Sequence, residues 1–66
     1  MSVAKTVEII ASSNDSIEAA IRDGIAKVSE TVTGIEGVWV KDTKAIVLDG
    51  KVTQWRVTLA VTFIVT

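Results

Sequence analysis

Glu36-Gly37-Val38-Trp39-Val40-Lys41-Asp42-Thr43-Lys44-Ala45-Ile46-Val47-Leu48, then Asp49-Gly50, then Lys51-Val52-Thr53-Gln54-Trp55-Arg56-Val57-Thr58-Leu59-Ala60-Val61-Thr62-Phe63-Ile64-Val65, reads as two long strands joined by a two-residue turn. Both runs are rich in β-branched and aromatic residues, and Asp-Gly between such runs is the strongest short-range hairpin signal. A two-residue turn fixes the register. It predicts Leu48 opposite Lys51, Ile46 opposite Thr53, Lys44 opposite Trp55, Asp42 opposite Val57, Val40 opposite Leu59 and Val38 opposite Val61. On that register Trp55, Val57, Leu59, Val61, Phe63 and Val65 form one unbroken apolar row, predicted to lie against a helix. The other face carries Gly37, Trp39, Lys41, Thr43 and Ala45 beside Gln54, Arg56, Thr58 and Ala60. Asp42 and Lys44 interrupt the apolar face and mark either an uncovered stretch or a β-bulge that re-aims them.

Working outward, Val3 to Ile10 alternates loosely and ends at Ser12-Ser13-Asn14-Asp15-Ser16, a strand followed by a polar turn. Asp15 with Glu18 three residues on has the spacing of a capping box, which starts a helix near Ser16. Ile17, Ala20, Ile21, Gly24, Ile25, Val28 and Val32 recur at three- and four-residue steps, whereas Glu18, Arg22, Asp23, Lys27, Ser29 and Glu30 fall on the other side. Gly24 within the apolar stripe predicts close approach of a strand or neighbouring helix. Gly34 is the expected helix terminator. The fold class is α+β, in the order strand, helix, strand, strand, and residues 1–66 form a single domain.

The 66 residues are 48% hydrophobic, with no His and no Cys. A chain this short buries only about 60% of the surface its unfolded form exposes. Disulfides and zinc, the usual reinforcements, have no ligands here, so self-association is the one left. The lengths agree. Strands of this size run roughly 43 to 50 Å, whereas a compact globule of this length has a diameter of roughly 28 Å. The hairpin therefore overshoots its own helix, and the surplus two-faced sheet is predicted to curl and meet identical copies.

A net charge of −1 with scattered basic residues offers nucleic acid no electrostatic footprint. No run approaches membrane-spanning length, and Lys5 and Glu8 break the only apolar stretch near the start, so no membrane partner and a cytoplasmic location are expected. Without a Cys or His nucleophile, a phosphate-cradling glycine loop or a serine on a strained elbow, the chain is expected not to be an enzyme.

The ordered set Val7-Glu8-Ile9-Ile10-Ala11-Ser12-Ser13, Ala19-Ala20-Ile21 through Gly24-Ile25-Ala26 to Glu30-Thr31-Val32, and Val57-Thr58-Leu59-Ala60-Val61-Thr62-Phe63 resembles the dodecin family over essentially the whole chain. The resemblance implies a β1-α-β2-β3 subunit whose three-stranded antiparallel sheet wraps around one helix. It also implies a hollow homododecameric shell that stores or sequesters a small ligand, in many members a flavin. Two departures bear on that ligand. Gly37 stands where flavin-binding dodecins place a stacking Trp, with Trp39 two residues further on. Arg56 follows the aromatic Trp55 where the family has a Gln that bonds the flavin ring. Both point to the flavin-free branch, some of whose members bind calcium.

The residues themselves leave alternatives open. Trp39, on the face away from the helix, is either a subunit contact or a platform for a ligand, including a flavin reached from its shifted position. Arg56 and Lys41, with Gly37 and Thr43 nearby, suit an anionic or phosphorylated ligand or a salt-bridged interface. Calcium needs six to eight oxygens. The densest oxygen cluster is Ser12 to Ser16 with Glu18, which makes Asn14 and Asp15 the candidate metal ligands, Asp15 alternatively being only a helix cap. A purely structural shell is the remaining reading.

Overall fold

The structure, a computed structural model, describes residues 2–65, so the outermost residues of the 1–66 span lie outside it. The order is β1 (Val3–Ser13), α1 (Ile17–Val28), β2 (Ile35–Leu48) and β3 (Lys51–Val65). All three strands form one antiparallel sheet in the order β1-β3-β2. The central strand is the one with the longest apolar row, and Val57, Leu59 and Val61 in that row are fully buried. Ala20 and Gly24 of α1 press on this row, and Val7, Ile9 and Ala11 of β1 complete the packing.

The first strand runs three residues past the Ile10 limit expected, because Ala11, Ser12 and Ser13 go on pairing with Val57, Arg56 and Trp55. The cap is also one residue later than expected. Ser16, not Asp15, takes the extended cap conformation, and its Oγ accepts the Ala19 N–H at 3.0 Å. Asp15 instead gives its own N–H to Ser13 Oγ at 3.0 Å. At the other end the helix stops at Val28, well before Gly34. Ser29 caps it by donating its N–H and Oγ to the Ile25 carbonyl at 2.9 and 2.8 Å, and the β-branched run Thr31-Val32-Thr33 disfavours further helix. Gly34, at φ 79°, serves the entry to β2 and accepts the Ile64 N–H at 3.0 Å.

Twelve helical residues reach only about 18 Å, but the molecule measures 51 × 20 × 13 Å. The overshoot expected of the hairpin is therefore present. The helix rests on β1 and β3. Past it, Val47 and Val52 face each other near the hairpin tip and stay exposed.

The register agrees with expectation at Leu48–Lys51, Val40–Leu59 and Val38–Val61 and differs between them. One irregularity lies between Ile46 and Val47, where β3 has the extra residue Thr53, and a compensating one lies between Val40 and Asp42, where β2 has the extra residue Lys41. In the segment between, Ile46 meets Gln54, Lys44 meets Arg56 and Asp42 meets Thr58. Asp42 and Lys44 thus leave the helix-facing row, while Thr43 and Ala45, expected on the other face, pair with Val57 and Trp55 and take their place. Leaving Asp42 opposite the buried Val57 would have cost the solvation of its charge, and one bulge avoids this.

Gly24 is where the helix comes closest to the sheet. A Cβ there would lie 3.0 Å from Leu59 Cδ1, 3.1 Å from Ala11 Cβ and 3.2 Å from Ile9 Cδ1. Gly24→Ala recovers about 1 kcal/mol of helix propensity but forces overpacking that typically costs about 1–3 kcal/mol. Because Leu59 is fully buried and Ala11 Cβ has no rotamer to change, the clash outweighs the gain. A lower urea midpoint than wild type, by circular dichroism, is the expected outcome; a higher one would show that the helix shifts freely on the sheet.

Candidate functional site on the open sheet face

The sheet face away from α1 is built in rows across the three strands. Thr6, Thr62 and Gly37 form one row, Glu8, Ala60 and Trp39 the next, Ile10, Thr58 and Asp42 a third, and Ser12, Arg56 and Lys44 a fourth. The first row is low on the β2 side at Gly37 and the second in the centre at Ala60, and Trp39, the β2 member of the second row, rises from it with 67% of its surface exposed. Gly37 is not forced by packing, since a Cβ there would meet only Thr62 Oγ1, at an ordinary 3.5 Å. The Thr62 hydroxyl donates to the Gly37 carbonyl at 3.2 Å and ties the floor together.

Lys41, the bulge residue, stands over this floor. Its Nζ lies 5.7 Å from the Trp39 ring centroid and 3.5 Å from Glu8 Oε2 on β1. The ammonium is attracted by the ring face and by the carboxylate, so the indole and the cation are held beside each other at the floor's edge. No local motif names Glu8 as the partner of Lys41. The signal for it was the alternation of β1, which places Glu8 on the open face.

Arg56 does not join that group. It lies four residues along β3 from Ala60, the partner of Trp39, or about 13 Å. Its Nε donates to Ser12 Oγ at 3.1 Å and its Nη2 to Gln54 Oε1 at 3.5 Å. Beside it lies a cavity of about 390 Å³ lined by Ile10, Asp42, Thr43, Lys44, Arg56 and Thr58. The expected set Gly37, Trp39, Lys41 and Arg56 is therefore split: the first three lie together around the Trp39 indole and the fourth lines a neighbouring cavity.

Asn14 and Asp15 are exposed in the turn between β1 and α1. Among the described residues no three His, Cys, Asp or Glu side chains gather as a metal-holding group. A cation at Asn14 and Asp15 would have to draw further oxygens from main chain, water or another copy.

A two-faced sheet with one helix-covered side, surplus length, and an exposed aromatic on the other side is the build of a small self-associating binding module. The dodecin family profile matches residues 3–66, and the chain belongs to the dodecin family, whose members are homo-oligomeric small-ligand-binding proteins. No curated protein sequence matches the chain significantly. Among solved structures, an arginine-to-alanine mutant of the Thermus thermophilus dodecin is 27% identical, with a TM-score of 0.94, covering 100% of this chain and 98% of its own. The dodecin from Streptomyces davaonensis is 26% identical, with a TM-score of 0.92, covering 98% of this chain and 96% of its own. The Streptomyces coelicolor dodecin, at 23% identity and a TM-score of 0.93 over 98% of this chain and 93% of its own, shares the fold. Among the described residues no helix is long and apolar enough to cross a membrane.

Proposed function

We propose that this chain builds a closed homododecameric shell in the cytoplasm that stores or buffers a small ligand held on the open sheet face, without catalysing its conversion. The observation that carries this reading is Trp39, 67% exposed beside a floor of small residues. A large indole left outside the subunit's own core has its surface to offer to a ligand or a neighbour. Membership of the dodecin family and the length of sheet beyond the helix support the assembly.

The ligand surface differs from the family's flavin site at two positions. Gly37 replaces the stacking Trp and Arg56 replaces the ring-bonding Gln, so a flavin would have only Trp39 to stack on. We therefore favour the flavin-free branch, with a small aromatic or anionic ligand, or an ion such as calcium at Asn14 and Asp15, as the cargo.

Native mass spectrometry together with flavin titration tests the proposal. The expected results are a particle of about twelve chain masses and no quenching of riboflavin or flavin mononucleotide fluorescence by the assembled protein. A monomer or dimer would overturn the shell. Strong quenching by the intact particle would overturn the flavin-free assignment and make Trp39 the flavin platform.

A further inference from the structure

The dipeptide Asp-Gly occurs twice in the chain, at Asp23-Gly24 and at Asp49-Gly50. A glycine has no side chain to shield its amide nitrogen, so that nitrogen can close on the preceding aspartate's carboxyl carbon and form a five-membered succinimide. As sequence the two copies are identical, and the fold separates them. Ring closure needs the nitrogen to eclipse the aspartate Cβ, at a ψ of about −120°, the value of the first central residue of a type II′ turn. Asp23 lies inside α1, where ψ is held at the helical value and the Gly24 N–H belongs to the helix ladder, and Gly24 packs against Leu59, Ala11 and Ile9.

Asp49 and Gly50 have φ of 52° and 74°, the two positive values of a type I′ turn. Asp49 is also the one non-glycine at positive φ among the described residues. Turning the peptide plane between them converts type I′ into type II′ and leaves Leu48 paired with Lys51, since both turns close a two-residue hairpin. The surroundings leave room for this. Both residues are exposed, and a Cβ built at Gly50 would meet no atom within 4 Å beyond its chain neighbours. Among the described residues the Gly50 N–H has no acceptor, and the Asp49 carboxylate has no cation within ion-pair distance. Type II′ is the minor form for a non-glycine residue, so the reaction is slow, but it requires no unfolding.

We infer that Asp49 is a self-modification site, at which the folded protein converts the Asp49-Gly50 link to isoaspartate while Asp23-Gly24 is spared. The Gly50 nitrogen gives up its proton and bonds to Asp49 Cγ, and a carboxyl oxygen leaves as water. A second water then opens the ring. Breaking the bond from nitrogen to Cγ restores aspartate, whereas breaking the bond from nitrogen to the main-chain carbonyl carbon leaves isoaspartate, with Cβ added to the main chain. The extra methylene upsets the spacing that sets Leu48 beside Lys51 and Val47 beside Val52, so the tip loosens while the row under the helix keeps its register. The loosened segment carries Val47, Leu48 and Val52, the exposed apolar end of the surplus sheet.

The test is to age the assembled protein at physiological pH in water enriched in heavy oxygen, then map its peptides by mass spectrometry with electron-transfer fragmentation. Each passage through the ring introduces one solvent oxygen, so cycling is counted even where aspartate is restored. Label and isoaspartate are expected to accumulate at Asp49 about a hundredfold or more faster than at Asp23, because the buried helix opens only with a large share of global unfolding. In urea the two sites should react at similar rates. Asp49→Gly keeps a turn that accepts positive φ and should abolish the signal at that position alone, with native mass and amide protection at Leu48 and Lys51 retained on ageing. In aged wild type that protection is expected to fall. No label at Asp49, or equal label at Asp23 in the folded protein, would overturn the site, and unchanged protection in the isoaspartyl form would overturn the loosening.

Discussion

Leu59→Ala is expected to leave the chain largely unfolded and unassembled at ordinary concentrations. Leu59 is fully buried at the centre of β3, between Ile9 of β1 and Val40 of β2, with its Cδ1 against the helix at Gly24. Truncating a buried Leu to Ala costs about 2–5 kcal/mol. A domain of 66 residues has a total stability of roughly 3–10 kcal/mol, so this one change removes a large share of it. The cavity cannot close easily, because the backbones on both sides are tied into the sheet. Lys27→Gln is the matched comparison: the Lys27 side chain is 81% exposed on the helix, outside the core, and a change there is expected to stay within about 0.5 kcal/mol. Urea unfolding at several protein concentrations checks both. A Leu59→Ala midpoint equal to that of wild type would show that contacts between copies, not this core, carry the stability.

The second large effect concerns Trp39→Ala. On the platform reading the particle keeps its wild-type mass and loses ligand affinity roughly tenfold to a hundredfold, the loss of an aromatic surface and its stacking term. Trp39→Phe keeps a ring and should retain most of the binding. Dissociation into smaller species by Trp39→Ala would assign the indole to a contact between copies and reject the platform. Lys41 reports on the same point: its ammonium is placed by the ring and by Glu8, so removing the ring should free it and leave only the exposed Glu8 pair.

Much of the subunit is legible in its residues. The Asp49-Gly50 turn, the apolar row of β3, the helix stripe and the need for close approach at Gly24 each follow from local chemistry that acts over a few residues. The open face was legible only in part. The register of the hairpin puts Gly37, Trp39 and Lys41 on it, but Glu8 reaches Lys41 from β1, a partner that no local pattern names. Alternation puts Arg56 on the same face as Trp39, but the register sets them four residues, about 13 Å, apart along β3, so a shared face is not a shared site. The helix stop at Val28 was obscured by Val32, which keeps the apolar step although Ser29 has already closed the last turn.

The hairpin shows where the division lies. That two long strands meet at Asp49-Gly50 with Leu48 beside Lys51 follows from local chemistry, because two-residue turns of this composition admit few backbone conformations. Alternation alone likewise marks Asp42 and Lys44 as charges that a helix-covered face does not accept. How that conflict resolves is set by packing between elements: an extra residue at Thr53 and another at Lys41 shift the intervening segment by one and restore it again. Because side chains alternate at every residue, that single step moves Asp42 and Lys44 to the open face beside Thr58 and Arg56 and brings Thr43 and Ala45 round to Val57 and Trp55. The choice depends on the helix lying over β1 and β3 and on the desolvation of charge beneath it, interactions between elements distant in the chain.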